Sequence, residues 1–159
     1  MQWSKLRSHM LTFVAPGLRK RIDFHLIVYR KLSECANEFF ITVDGQKTFS
    51  ASTSRHSIAT YVVTRTTGLI GYGDSSDARR VDDILSKSEV HAPTDITSSI
   101  RTYFDLDPHV ALASSDPVLK ALAIIDRRIG RRTLKSMELT DTEHSLVKTF
   151  YILRMEGLD

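Results

Sequence analysis

Asp44-Gly45 is the dipeptide that most limits what this chain can become. Both central positions of a type I′ turn need positive φ, which Asp and Gly accept and branched residues resist. The pair sits between two runs with alternating apolar side chains, 38–43 and 46–51, and so predicts a tight β-hairpin. A third alternating run lies upstream at 21–31. There Ile22, Phe24, Leu26 and Val28 share one face, and Asp23, His25, Ile27 and Tyr29 take the other. A polar connection at 33–37 joins it to the hairpin. The expected sheet is a three-stranded antiparallel meander.

An amphipathic helix is expected ahead of it, over 3–14. Trp3, Leu6, Met10, Phe13 and Val14 fall on one face at helical spacing, and Ala15-Pro16-Gly17 ends the run. Downstream the helix signals dominate. Residues 52–65 carry Ser and Thr at a helix start but also the strand-prone Thr60, Val62 and Val63, so helix is preferred with strand still open. A Gly/Ser/Asp-rich loop spans 68–76, and a helix follows over 77–90. Further helix starts are expected at Thr94 or Asp95, at Asp107-Pro108 and at Asp116-Pro117, where proline at the first helical position costs no hydrogen bond. A last helix is expected from about Asp141. Residues 118–125 and 146–153 match in class at a shift of 28, which predicts two helices with similar packing roles.

Strands together, then helices, is the α+β order. The expectation is one domain over 1–159, with a helix and β-meander in 1–51 and a mainly helical 52–159. Cys35 is the single cysteine, so no internal disulfide can form. No apolar run reaches the ~20 residues of a membrane span, and the start lacks the apolar core of a signal peptide. A cytoplasmic protein that does not enter a membrane is the expectation.

Charge is unevenly distributed. Residues 1–31 carry a net +6, residues 32–116 a net −5 and residues 117–159 a net +2. Such a layout either steers an external partner or pairs internally between packed segments, and internal pairing is preferred because a nucleic-acid footprint would not have an acidic centre.

No reaction is announced by motif. The six histidines show no helical ligand spacing and Cys35 has no second thiol, so neither a zinc site nor another cofactor is expected. His25 reads as a satisfied sheet histidine. Residues 68–73 lack the order of a phosphate loop, no Gly-x-Ser-x-Gly elbow is present, and Asp82 and Asp83 point to different sides of their helix. Arg127, Arg128, Arg131, Arg132 and Lys135 form the one suggestive cluster, able to hold phosphates or an acidic protein surface. Its structural alternative puts Arg127 and Arg128 in a helix's last turn, offsetting the dipole, and lets Asp126 hold a neighbouring arginine.

Trp3-Ser4-Lys5-Leu6, the run 21–25 (RIDFH) and the hairpin 41–45 (ITVDG) resemble a family of bacterial proteins. The similarity resumes at 111–116, 119–134 and 146–157, about two-thirds of the chain in all, and is poor over 52–90. That family has no assigned reaction, cofactor or catalytic residue, so the resemblance implies one fold for the two ends and no site. The first functional expectation is a small protein-interaction module, such as an inhibitor or immunity-type partner, using residues 127–135. The alternative is nucleic-acid binding through the same cluster with help from residues 19–21. An enzyme with an unannounced site ranks last.

Overall fold

At the hairpin Asp44 and Gly45 take φ of 50° and 79°, the geometry this dipeptide favours. The computed structural model describes residues 2–29, 36–71, 73 and 75–156. The first half holds α1 (Trp3–Phe13), a 3₁₀ turn (Pro16–Leu18), β1 (Ile22–Val28), β2 (Asn37–Val43) and β3 (Gln46–Ser52). Then come α2 (Thr53–Thr67), α3 (Ser76–Lys87), α4 (Pro93–Asp105), α5 (Pro108–Leu112), α6 (Pro117–Ile125), α7 (Arg131–Lys135) and α8 (Ser145–Glu156). The sheet order is β1-β2-β3, antiparallel throughout, so the fold is the expected α+β meander with helices after it. The expected strand end at 30–31, most of the connection at 33–37, and Tyr72 and Asp74 of the 68–76 loop lie outside the described residues.

One face of the sheet supplies Ile22, Phe24, Phe39, Ile41, Phe49 and Ala51 to a core that also takes Leu6 and Met10 of α1. Trp3 is half-buried and meets Phe39 edge to face at 5.8 Å. The other face is wet: His25 stacks on Phe40 at 4.5 Å and bonds Thr42 at 3.2 Å. The pairing of β2 with β3 shifts between Ile41 and Thr42, so Ile41 faces Phe49, Thr42 faces Lys47, and Thr48 is the extra residue of a bulge.

α6 is apolar almost all round and sits at the centre of the helical half, packed against α4, α5 and α8. Each of its fully buried leucines and isoleucines contributes about 1.5–3 kcal/mol of transfer free energy. The likeness of 118–125 to 146–153 corresponds to real packing, with one exception. Ile124 is fully buried, whereas its counterpart Ile152 is 57% exposed.

Asp107 and Asp116 cap α5 and α6 as expected, Asp116 accepting from Val118 N at 2.8 Å. Three boundaries differ. α4 starts at Pro93 after Ala92, which places Thr94 and Asp95 inside its first turn. α3 stops at Lys87, short of Val90, and Glu89 takes a φ of 55°. α8 starts at Ser145, because 141–143 form a separate turn. At 52–65 the helix prevails over the strand. The Thr53 hydroxyl bonds both the N–H and the C=O of Asn37 at 3.3 Å, the groups a further strand pair would have used.

Candidate functional site

The basic segment is divided by the fold. α6 ends at Ile125, and Asp126 turns extended to form an antiparallel bridge with Val14. Ala15 N donates to Ile125 O, and Arg127 N to Phe13 O, each at 2.8 Å. Arg127 and Arg128 therefore lie beyond the helix, and the expectation that they offset its dipole is corrected. The bridge to the end of α1 takes the backbone out of helical geometry before either arginine is reached.

Asp126 is the one buried charged residue among those described, at 1% exposure. Its carboxylate accepts from the Tyr103 hydroxyl at 2.5 Å, from Arg128 N at 2.7 Å and from the Arg128 guanidinium at 2.7 Å. The guanidinium also lies over the Phe13 ring at 4.5 Å. Burial, and then the bond to Asp126, push the Tyr103 phenol well above its ordinary range. Asp126 does hold an arginine, as expected, and that arginine is Arg128. Arg127, Arg131, Arg132 and Lys135 are exposed, the last three on the short α7 that Leu134 anchors in the core.

A second surface is more unusual. α2 is fifteen residues long and buries none of them. Its half-buried side carries His56, Ala59, Thr60, Val63 and Thr64. Its solvent side carries Ile58, Tyr61 and Val62, at 66%, 64% and 51% exposure, with Arg55 and Arg65 one turn away at either end. Ile58, Tyr61 and Val62 recur at helical spacing, and here these larger apolar groups face water. Beside it runs an open groove of 620 Å³ lined by Tyr61, Leu69, Ile70 and Gly71. Gly71 lets the chain pass close: a Cβ there would meet Thr64 Cγ2 at 2.6 Å and Thr60 Cγ2 at 2.9 Å. α2 has no acidic residue, and neither Arg55 nor Arg65 has an ion-pair partner among the described residues.

The histidines contain what sequence reasoning missed. His91 and His144, 53 residues apart, meet with their Nε2 atoms at 2.9 Å. Phe49 lies against both rings, with centroids 5.9 and 6.0 Å away. His91 lines a cleft of 380 Å³ with His56, Asp82, Asp95, Ser99 and Asp116. His144 lines another of 280 Å³ with Glu89, Lys87 and Glu143, and Ser86, Ser115 and Pro117 border both. Burial holds both imidazoles below their usual range. His144 adds to the effect at His91, while Asp116, Asp95 and Glu89 oppose it there. No local spacing announces such a pair, because only the packing of the 88–92 corner against the start of α8 creates it. Among the described residues no group of three or more His, Cys, Asp or Glu is placed to hold a metal.

The chain belongs to the SF0329 protein family, whose model matches residues 2–155 and so extends through the middle segment where the motif resemblance is poor. No curated protein and no solved structure matches it. No described helix is long and apolar enough to cross a membrane.

Proposed function

We propose that this SF0329-family chain is a protein-interaction module whose binding surface is the outer face of α2. The observation that carries the reading is a fifteen-residue helix with no buried residue and with Ile58, Tyr61 and Val62 in water. A contiguous exposed apolar patch with an aromatic centre is the usual mark of a docking site.

The partner is a protein segment that offers apolar side chains flanked by carboxylates. Arg55 and Arg65 bracket the apolar stripe, and α2 has no acid to neutralise them. A second copy of this chain fits poorly. A two-fold axis through the middle of α2 sets Arg55 of one copy against Arg65 of the other, and like charges facing across an interface cost several kcal/mol. An inhibitor or immunity-type role, in which a small protein covers an acidic surface of its target, agrees with this chemistry.

The test uses the purified full chain as bait in lysate of its own source, with and without nuclease, with a photo-crosslinker at position 61. The expected result is a nuclease-resistant protein cross-linked through a segment rich in Asp and Glu. Capture should fall more than about tenfold with Tyr61→Asp and persist with the Arg131→Glu/Arg132→Glu pair, as truncation of a central aromatic implies. Capture that survives Tyr61→Asp but is lost on nuclease treatment moves the function to nucleic acid through 127–135. Nuclease-resistant capture that survives Tyr61→Asp but is lost with the arginine pair moves the protein contact from α2 to that cluster. A dimer that Tyr61→Asp dissociates, or an empty bait, overturns the proposal.

A further inference from the structure

Leu146 N donates to His144 Nδ1 at 3.1 Å, so neutral His144 carries its proton on Nε2. It therefore donates across the 2.9 Å contact to His91 Nε2, and His91 keeps its own proton on Nδ1. This is the one arrangement of two neutral rings that preserves both bonds. A third proton has nowhere to go without loss. On His91 Nε2 it sets two N–H groups face to face, and on His144 Nδ1 it faces the Leu146 N–H.

We infer that His91 and His144 form a proton-operated clasp: neutral, it ties the corner between α3 and α4 to the start of α8; protonated, it parts and joins the two clefts it now separates. His91 lines one cleft and His144 the other, so the ring pair stands between them. The surrounding charges give each cation somewhere to go. On the corner, the Glu89 carboxylate lies 3.9 Å from His144 Nδ1. Asp95 of α4 and Asp116 ahead of α6 face His91, with Asp82 of α3 and His56 of α2 along the same cleft wall. Asp83 and Lys87 of α3 border the other cleft with Glu143, which is already paired to Lys120 of α6 at 2.7 Å. From the sheet comes only the uncharged Phe49 ring.

A second tie keeps the opening local. Glu89 accepts from Ser145 N at 2.6 Å and from Ser145 Oγ at 2.5 Å. Burial pushes the Glu89 carboxyl up, but these bonds outweigh it and hold it below the usual carboxylate range. The tie therefore persists through the pH range in which the rings charge, and α8 stays anchored while the rings separate.

The experiment is amide hydrogen exchange on the full chain, with imidazole nitrogen shifts recorded from pH 7.5 to 5.5. The expected spectrum at pH 7.5 shows His144 as the Nε2–H tautomer. Protection of the Leu146 amide, corrected for intrinsic exchange, should fall about tenfold on acidification, the equivalent of one pKa unit of linkage. His144→Asn keeps an oxygen that caps the Leu146 N–H and removes the titrating ring, so it should retain protection and lose most of the pH step. Flat protection in the wild-type chain, or an unchanged step in His144→Asn, overturns the inference. An Nδ1–H tautomer at His144 does so without any variant.

Discussion

At Asp126 the chain buries a charge, and along α2 it leaves in water side chains that are commonly buried. The two regions differ in whether the molecule supplies its own partner. Every oxygen of Asp126 is used from within: Tyr103 comes from α4, Arg128 from two residues on, and Phe13 covers the guanidinium. Among the described residues nothing closes the surface around Ile58, Tyr61 and Val62, and none pairs a carboxylate with Arg55 or Arg65. A polar group that is costly to bury is thus a sign of structure when its bonds are complete. An apolar group that is costly to expose signals function when its neighbours are missing.

The sharpest break of this comparison is Asp126→Ala. It leaves the Tyr103 hydroxyl without its acceptor and releases the partly exposed Arg128 from its carboxylate, and about 2–4 kcal/mol of stability should be lost in urea unfolding. A loss below about 1 kcal/mol would mean that the knot is ornamental. Gly71→Ala comes next, at about 1–3 kcal/mol, because the new methyl collides with Thr64 and Thr60. Thr64→Ser in the same chain removes one of the two clashing methyls and should recover part of the loss. If it recovers nothing, α2 does not rest on this loop as the geometry shows.

Acidification probes the middle ground. The folded state holds His91 and His144 below their ordinary value of 6.5, so the unfolded chain takes up protons first as pH falls. Stability is complete above 6.5 and declines below it, by at most about 1.4 kcal/mol per pH unit for each ring, until the folded rings also charge. A stability curve that is flat from pH 7.5 to 5.5 contradicts the burial of the pair. The smallest effect is the most telling for α2. Val62→Ala should leave stability unchanged or raise it by up to about 0.5 kcal/mol, since little is buried and alanine favours the helix. A clear loss in thermal unfolding would show that the helix face is structural after all.

Much of the fold is legible in the chain because local chemistry specifies it. Asp44-Gly45 dictates its turn, and Asp107-Pro108 and Asp116-Pro117 dictate two helix starts. The end of α6 is not legible, because the apolar run continues to Ile125 and only a bridge to Val14 stops it. The candidate surfaces divide in the same way. The cluster 127–135 is visible as composition, but its split into a bound Arg128 and an exposed α7 depends on Phe13 and Tyr103, far away in sequence. On α2 the apolar spacing is visible and its orientation is not, since a helical period does not say which side meets the core. The His91–His144 contact leaves no local trace at all.

The bulge at Thr48 has a consequence for how β3 can vary. Lys47 and Phe49 have the same parity along the chain, and an unbroken strand would give them the same side of the sheet. The extra residue puts them out of phase. Lys47 goes outward, to Glu38 at 2.5 Å and over the Phe40 ring at 4.4 Å, while Phe49 goes inward to the two histidines. The tip of the hairpin and its core-facing end are thereby uncoupled, each free to follow its own alternation. Deleting Thr48 would make the two residues adjacent, and a regular strand would then still hold Lys47 outward and Phe49 inward, with only the bulge and its added twist lost.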